Sequence, residues 1–297
     1  MTSENEGFNR RNVLKNSAVL GSVGLLATTG TVGAESDKKE HAGAGEFSGS
    51  LKLDEDNSMS DKELEEYTKE ELNKASSEGS KATIPPGVVN DVVDSDEIGI
   101  QATSPDDPQR ITHEDTWDTG VEDITGTAGI KIGETRHQVS VYKGDFESAD
   151  GDNVYFLWHM SRADFGDIDD WNTKVEEMEN FIDLPSNWSL YTYEPQDTVS
   201  DGGQDLDVSI GAAGGAGSMS LGTTLTVGGG TVRTTNNTST GSGSKYELEF
   251  DGCTTGDNGT EIMNGLTLLT TSASSISQYT LDWSYYTKLN TSANCIF

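Results

Sequence analysis

Apolar and polar residues alternate in short runs through the C-terminal two thirds of the chain, and a period of two is typical of strands with one buried face. One run, Val154–Met160, is apolar on both faces, which predicts a central strand of a sheet. The alternation predicts further strands around Ile130/Ile132, Val139/Val141, Trp188–Tyr193, Tyr246–Phe250 and Tyr279–Tyr285. Glycine-rich turns separate these runs, so the pattern indicates an antiparallel arrangement.

Residues 205–227 carry the longest two-faced pattern and predict a β-hairpin. Its apolar positions are Leu206, Val208, Ile210, Met219, Leu221, Leu225 and Val227. The parity of the apolar positions changes at 214–217, where a hairpin turn would place the change. Gly228–Gly230 predicts a second turn. The same pattern suits a strand pair with one face on a core or a hairpin that enters a bilayer, and we expect the core arrangement.

Two segments have the periodicity of helices. Ser60 and Glu63 form a capping box at the start of the first, which is predicted to run from Ser60 to about Ser76. The second is predicted from about Asp169 to Ile182 and ends before Pro185. Its apolar residues are spaced by three and four positions, as on one face of a helix: Trp171, Val175, Met178 and Ile182.

These elements predict a mainly β fold, an antiparallel β-sandwich or barrel-like domain with one helix, over residues 108–297. An acidic, largely disordered segment with few large apolar residues is predicted at 35–107, apart from its short helix near 60–76. This segment is either a solvated spacer or a pro-segment that is later removed, and we prefer the spacer.

The first 34 residues resemble a twin-arginine (Tat) signal peptide. Arg10 and Arg11 precede Leu14 and Lys15, although Asn9 and Val13 depart from the usual pattern. The apolar run at 18–27 is too short for a membrane span, which needs about 20 residues. Cleavage is predicted after Ala34. The resemblance implies the Tat translocase as a partner during export, a secreted or cell-surface location, and no transmembrane segment in the mature chain.

The charge balance limits the classes of partner. The chain has 51 acidic and 19 basic residues, a formal net charge of −32 at pH 7. Such a charge argues against binding nucleic acid or an anionic membrane by electrostatic attraction. Salt screens the self-repulsion, because the Debye length falls to about 3 Å at 1 M. Together with the signal, this composition resembles proteins secreted by halophilic archaea.

Covalent modification is predicted at two kinds of site. Cys253 and Cys295 are the only cysteines, and after export they are expected to form a structural disulfide. Glycosylation sequons begin at five asparagines: Asn187, Asn236, Asn237, Asn258 and Asn290. The sequence does not show which of them is used.

Few residues carry a recognisable chemistry. The chain has no P-loop, Cys-x-x-Cys, Gly-x-Ser-x-Gly or His-Glu-x-x-His motif. Of its four histidines, His159 is expected in the core, His137 in solvent, and His113 beside Glu114 and Asp115 as a possible start of a triad. A weak Ca²⁺ site is conceivable at the closely spaced acids Asp164, Asp167, Asp169 and Asp170. A salt-adapted surface together with a helix N-cap is the preferred explanation of these acids, so no cofactor is predicted apart from this weak Ca²⁺ site.

Three functions are compatible with these features. The first is a non-enzymatic, salt-adapted extracellular β domain that binds a partner, a glycan or the cell surface. The second is a secreted antagonistic protein that acts on membranes through the 205–227 hairpin; it resembles large halocins only in layout. The third is an extracellular hydrolase. The sequence favours a non-enzymatic domain without excluding an enzyme.

The export signal yields a first testable prediction. Replacing Arg10 and Arg11 together by lysine keeps both positive charges, but should retain the protein inside the cell because the translocase reads the arginine pair. Immunoblots of cells and medium would measure this. Secretion of the doubly substituted protein at the normal rate would show that the signal is of another type.

Overall fold

We analysed the fold in a computed structural model. The structure describes residues 43–78, 83–88, 111–166, 173–211, 218–255, 259–272 and 281–291, with the backbone alone at 201, 211, 218 and 253–255. All of these residues belong to one compact unit, Ala42–Phe297.

The described residues form one helix and thirteen strands. The helix, α1, spans Asp61–Glu78. The strands are β1 (Ala44–Leu53), β2 (Ile111–Asp118), β3 (Glu122–Thr125), β4 (Lys131–Glu147), β5 (Asn153–Phe165), β6 (Lys174–Asp183), β7 (Trp188–Glu194), β8 (Val199–Gly211), β9 (Ser218–Thr234), β10 (Gly241–Ser242), β11 (Lys245–Thr255), β12 (Gly259–Thr271) and β13 (Leu281–Asn290).

These strands build two antiparallel sheets, which confirms the predicted fold class. Sheet A has the order β1-β13-β6-β11-β9-β8. Sheet B has the order β10-β7-β12-β5-β4-β2, and β3 pairs with β4 beside this path. Neither sheet closes on itself in the part of the chain that the structure describes, so the arrangement is a sandwich. As predicted, β5 is a central strand, with β12 on one side and β4 on the other.

The two predicted strands around Ile130/Ile132 and Val139/Val141 are one strand, the 17-residue β4. Ile132, Val139 and Val141 are buried, whereas Ile130 lies just before the strand and is 43% exposed. The central part of β4 is buried on both faces, so polar residues such as Gln138 and Ser140 interrupt the apolar pattern without ending the strand.

A chain of buried polar side chains joins the two sheets. His137 of β4 shares hydrogen bonds with Ser161 of β5 and Thr287 of β13 at 2.8 and 3.2 Å. Asn180 of β6 donates its amide to the Ser161 hydroxyl and accepts a 2.8 Å bond from the Trp283 indole. Buried polar groups cost free energy unless they are paired, so these bonds fix how the sheets face each other.

The helix predicted over 169–182 is wrong from Lys174 onward, because this stretch is strand β6. It pairs with β11 on one side and β13 on the other. Met178, Asn180 and Ile182 alternate on its buried face. The polar Asn180 concealed this alternation in the sequence, so the remaining apolar residues had a helical spacing. Residues 167–172 lie outside the described part of the chain.

The N-terminal boundary also differs from the prediction. Within the segment predicted to be of low order, residues 44–53 form β1, which pairs with β13 along its whole length. The helix predicted near 60–76 is confirmed as α1 at Asp61–Glu78, and the predicted capping box is present between Ser60 and Glu63. The sandwich therefore includes residues well before 108.

Helix α1 is attached to sheet B through a buried ion pair. Glu71, 2% exposed, accepts a 2.9 Å bond from Arg162 of β5 and a 2.9 Å bond from the Thr83 hydroxyl. Directly opposite Arg162 on β4, Arg136 lies 4.0 Å over the ring of Tyr67. Two arginines on neighbouring strands thus contact Glu71 and Tyr67 of the helix.

This ion pair predicts a large effect of one helix substitution. Glu71→Ala should cost about 3–5 kcal/mol of unfolding free energy, because it leaves the guanidinium of Arg162 buried with a single partner, Asp164. Urea unfolding at constant salt would measure the loss. The neighbouring Glu70→Ala removes an exposed pair with Lys74 and should cost about 1 kcal/mol or less. Equal effects of the two substitutions would contradict the proposed attachment.

Candidate functional site

Several predicted sites lie outside the described residues and stay predictions. These are Arg10, Arg11, Ala34, Asp167, Asp169, Asp170, Asn258 and Cys295. Cys253 is described only through its backbone, in β11, so the predicted disulfide is also untested. The Tat signal, the location outside the cell and the adaptation to salt rest on the sequence alone.

Asp164 is the one described member of the weak Ca²⁺ set. Its carboxylate accepts bonds from Arg162 at 2.8 Å and from the Thr260 hydroxyl at 2.6 Å. Among the described residues, no group of three or more His, Cys, Asp or Glu side chains has a geometry that would hold a metal ion. The structure thus gives Asp164 a role in orienting Arg162.

The sequon asparagines that the structure describes differ in accessibility. Asn187, Asn236 and Asn237 are exposed. The Asn237 amide donates to Glu247 at 2.9 Å. Asn290 is half-buried at the end of β13, and its amide donates a 2.6 Å bond to Glu176. Glycosylation at Asn290 would therefore require breaking an existing contact.

The histidines do not form a catalytic arrangement with an accessible hydroxyl in the described residues. His113 lies 2.8 Å from the Thr116 hydroxyl, which lies 2.7 Å from the Ser140 hydroxyl, but Thr116 and Ser140 are both buried. The expectation that His137 is solvated is wrong, because it is fully buried between the sheets. His159 is fully buried as expected, with its ring 4.8 Å from that of Tyr246.

The strongest candidate for a functional element is the outer part of the hairpin formed by β8 and β9. We call residues 202–211 and 218–227 the distal hairpin. Its two strands pair with each other in unbroken register, from Gly202 opposite Val227 to Gly211 opposite Ser218. Only residues 230–234 of β9 pair with β11. Among the described residues, the distal hairpin therefore has no strand partner except itself.

Three glycines mark the junction between the distal hairpin and the rest of sheet A. The turn predicted at Gly228–Gly230 is wrong: β9 continues through it, and the register shifts because Ser200 pairs with Thr231 and Gly202 with Val227. Glycine is required at Gly230, because a Cβ there would lie 2.7 Å from the Cα of Gly252. An irregularity of this kind bends a strand locally, which explains why the partner of β9 changes here.

The apolar face of the distal hairpin is buried, as the core arrangement predicted. Its seven apolar side chains are at most 4% exposed: Leu206, Val208, Ile210, Met219, Leu221, Leu225 and Val227. The wet face of β8 alternates strictly with them, since Asp205, Asp207 and Ser209 are exposed. The register brings apolar residues of the two strands onto the same face, as with Val208 opposite Leu221.

Near Met219, this apolar face packs on the side of sheet B that faces away from sheet A. A Cβ at Gly144 of β4 would lie 3.2 Å from Met219 Cε and 3.5 Å from Val154 Cβ. Val154 and His159 point to opposite sides of β5, and His159 contacts β11 of sheet A. The end of the hairpin near Met219 therefore packs on the other side, whose residues include the buried Phe156 and Trp158.

Two side chains of β12 bind the backbone of β9 near the junction. The Asn264 amide donates to the Thr224 carbonyl at 3.3 Å, and Glu261 accepts a 3.0 Å bond from the Gly228 N–H. These side chains take the place of a neighbouring strand. The sequence pattern did not indicate these two residues, because β12 itself was not predicted. The apolar pairs Ile262/Met263 and Leu268/Leu269 obscured its alternation, although Leu266 and Leu268 share one parity.

Comparisons with known proteins add little. No family model and no curated protein matches the chain. The solved structures that match part of the chain include two with low TM-scores. A pore forming protein is 9% identical, with a TM-score of 0.32 over 54% of this chain and 75% of its own. The delta-toxin of Clostridium perfringens is 10% identical, with a TM-score of 0.33 over 58% and 80%. No helix among the described residues is both long and apolar enough to span a membrane.

The two buried histidines predict a dependence of stability on pH. Burial lowers the pKa of His137 and of His159 from 6.5 to about 3. The unfolded chain therefore binds protons below pH 6.5 that the folded chain excludes. The two neutral rings therefore contribute fully to stability above pH 6.5. Between pH 6.5 and 5, each ring should lower the free energy of unfolding by about 2 kcal/mol.

Urea unfolding between pH 7.5 and 5 would measure this dependence. His137→Gln retains an amide for hydrogen bonding but cannot titrate in this range, so the stability of the variant should fall less steeply on acidification. His159→Gln should behave in the same way. If both variants lose stability as steeply as the unsubstituted protein, other groups determine its sensitivity to acid.

Proposed function

We propose that this chain is a secreted protein that acts on membranes by inserting the distal hairpin. The observation that carries the proposal is the self-contained ladder of the hairpin. Residues 202–211 and 218–227 can leave sheet B with every bond between them intact, while residues 230–234 keep β9 in sheet A.

The dimensions of the hairpin suit a membrane. Each strand of the distal hairpin has ten residues, about 33 Å at the usual rise per residue, and a membrane strand needs about 9–11 residues. One face carries the seven apolar side chains together with Gln204 and Thr223, and the other face carries Asp, Ser, Thr and Gly. Strands that separate lipid from water have this alternation.

The hydrophobic cost of the movement is small for the hairpin itself. Its seven apolar side chains are buried in the folded protein and would be shielded by lipid after insertion. The cost lies in the surface of sheet B that the hairpin leaves, around Gly144 and Val154, at about 25 cal/mol per Å² of apolar area exposed to water. The bonds from Asn264 and Glu261 add a polar contribution that holds the hairpin in place.

A single hairpin would not be stable in lipid. Among the described residues, the outer edges of both strands of the distal hairpin have no strand partner, and unpaired backbone groups cost several kcal/mol each in hydrocarbon. Several copies would have to pair edge to edge, β8 of one with β9 of the next. The proposed activity is therefore the formation of a water-filled pore by an oligomer.

The other two predicted functions stay predictions. Binding of an extracellular partner, a glycan or the cell surface finds no specific support, since the exposed large apolar side chains of the described residues are only Val121, Ile130 and Tyr191. A hydrolase finds none in the described histidines, whose nearby hydroxyls are buried.

Holding the hairpin on sheet B tests the proposal. Thr224 and Asn264 are half-buried, and the Asn264 amide bonds to the Thr224 carbonyl, so cysteines at both positions lie near enough to be joined by a short, reducible bifunctional thiosulfonate reagent. The joined protein should release dye from phosphatidylcholine vesicles at least about tenfold more slowly in molar KCl, because high salt screens the negative charge of the protein. Reduction should restore the rate.

The matched control joins the hairpin to itself. Ser209 and Ser220 face each other across its wet face, so cysteines there can be joined without attaching the hairpin to sheet B. This variant should release dye at the normal rate, as should unsubstituted protein treated with the reagent. Full activity of the protein joined at 224 and 264 would contradict hairpin insertion. Absence of dye release by the unsubstituted protein would contradict membrane activity altogether.

A further inference from the structure

The charge on the distal hairpin is confined to one face and one strand. Asp205 and Asp207 are the only residues of 202–227 with an ionisable side chain, and both are exposed on β8. The rest of that face is formed by Ser209 and, across the register, by Ser220, Gly222, Thr224 and Thr226. No positive charge lies anywhere in the hairpin.

The position of the two carboxylates along the hairpin is also defined. Asp205 lies opposite Thr224, whose hydroxyl donates to it at 2.9 Å, and Asp207 lies opposite Gly222. They are three and five residues from the junction at Gly202, about 10 and 17 Å at the rise of a strand. The part of the hairpin beyond them carries only neutral side chains.

From this distribution we infer that the pore conducts cations in preference to anions. The inference rests on the proposed function, because it requires the wet face of each inserted hairpin to line the water-filled passage. Each copy then contributes Asp205 and Asp207 at the same depth, so an oligomer carries two adjacent rings of carboxylates. Rings of acidic side chains attract cations and repel anions, and with no basic side chain in the wall nothing offsets them.

The position of the rings adds a second property. Because Asp205 lies near the junction and Asp207 near the middle of the hairpin, the passage is charged from the side at which the protein inserts to its middle, and is neutral toward the other side. The local concentration of cations is therefore raised at one end only. The pore should pass more current in one direction than in the other, and both effects should weaken as salt screens the carboxylates.

Single-channel recording in planar phosphatidylcholine bilayers tests this. With an approximately tenfold KCl gradient, the reversal potential of the unsubstituted protein should shift from zero toward the equilibrium potential of K⁺. The shift should correspond to a several-fold preference for K⁺ over Cl⁻. Asp205→Asn with Asp207→Asn should bring the reversal potential close to zero and make the current nearly symmetric. Ser209→Lys in that background should move the preference toward Cl⁻.

Matched substitutions separate this effect from net charge. Asp251→Asn with Asp282→Asn removes two exposed carboxylates from β11 and β13, outside the distal hairpin, and should leave the selectivity unchanged. All these positions are exposed, so thermal melts should stay within a few degrees of the unsubstituted protein. Channels with equal selectivity before and after the hairpin substitutions would overturn this inference alone. Absence of channels would overturn the proposed function and the inference with it.

Discussion

The backbone of β9 has to find hydrogen-bond partners along 17 residues, and it finds them in two different places. Up to Val227 it pairs with β8, and from Gly230 onward it also pairs with β11. Because a strand needs partners for its N–H and C=O groups wherever it is buried, this division decides which part of the hairpin belongs to sheet A. The distal part is held by its apolar face and by two side chains of β12. Packing without ladder bonds can be exchanged for other packing, and the proposed function depends on this property.

The interior of the sandwich is less apolar than its strands suggest. The chain of bonds from Thr287 through His137 and Ser161 to Asn180 and Trp283 crosses from one sheet to the other. Its members satisfy one another, so they can be buried at a modest cost. They also define a single relative position of the sheets, which apolar side chains alone would define less strictly. These same polar residues made the strands hard to recognise in the sequence.

Buried polar residues also determined which strands could be predicted from the sequence. Strands with a clean alternation, such as β7 and β11, were predicted from their residues, as was the cap of α1. β6 was mistaken for a helix because Asn180 occupies a buried position, and β1 was missed although Phe47, Leu51 and Leu53 share one parity. The faces of the hairpin were predicted because each apolar residue lies on one side. Its attachment was not, since Asn264 and Glu261 are distant in sequence and nothing local indicates which backbone they bind.

The pairing of β1 with β13 joins residues near opposite ends of the chain. Ala44 lies opposite Asn290, and the Gly43 N–H donates to the Thr291 hydroxyl at 2.9 Å. Contacts over such a sequence separation form slowly, and β1 has no partner in its sheet until β13 exists. Sheet A therefore cannot be completed until β13 has been synthesised. A chain interrupted before β13 would leave the backbone of β1 without its ladder, so one pairing makes the integrity of an N-terminal strand depend on residues more than 240 positions away.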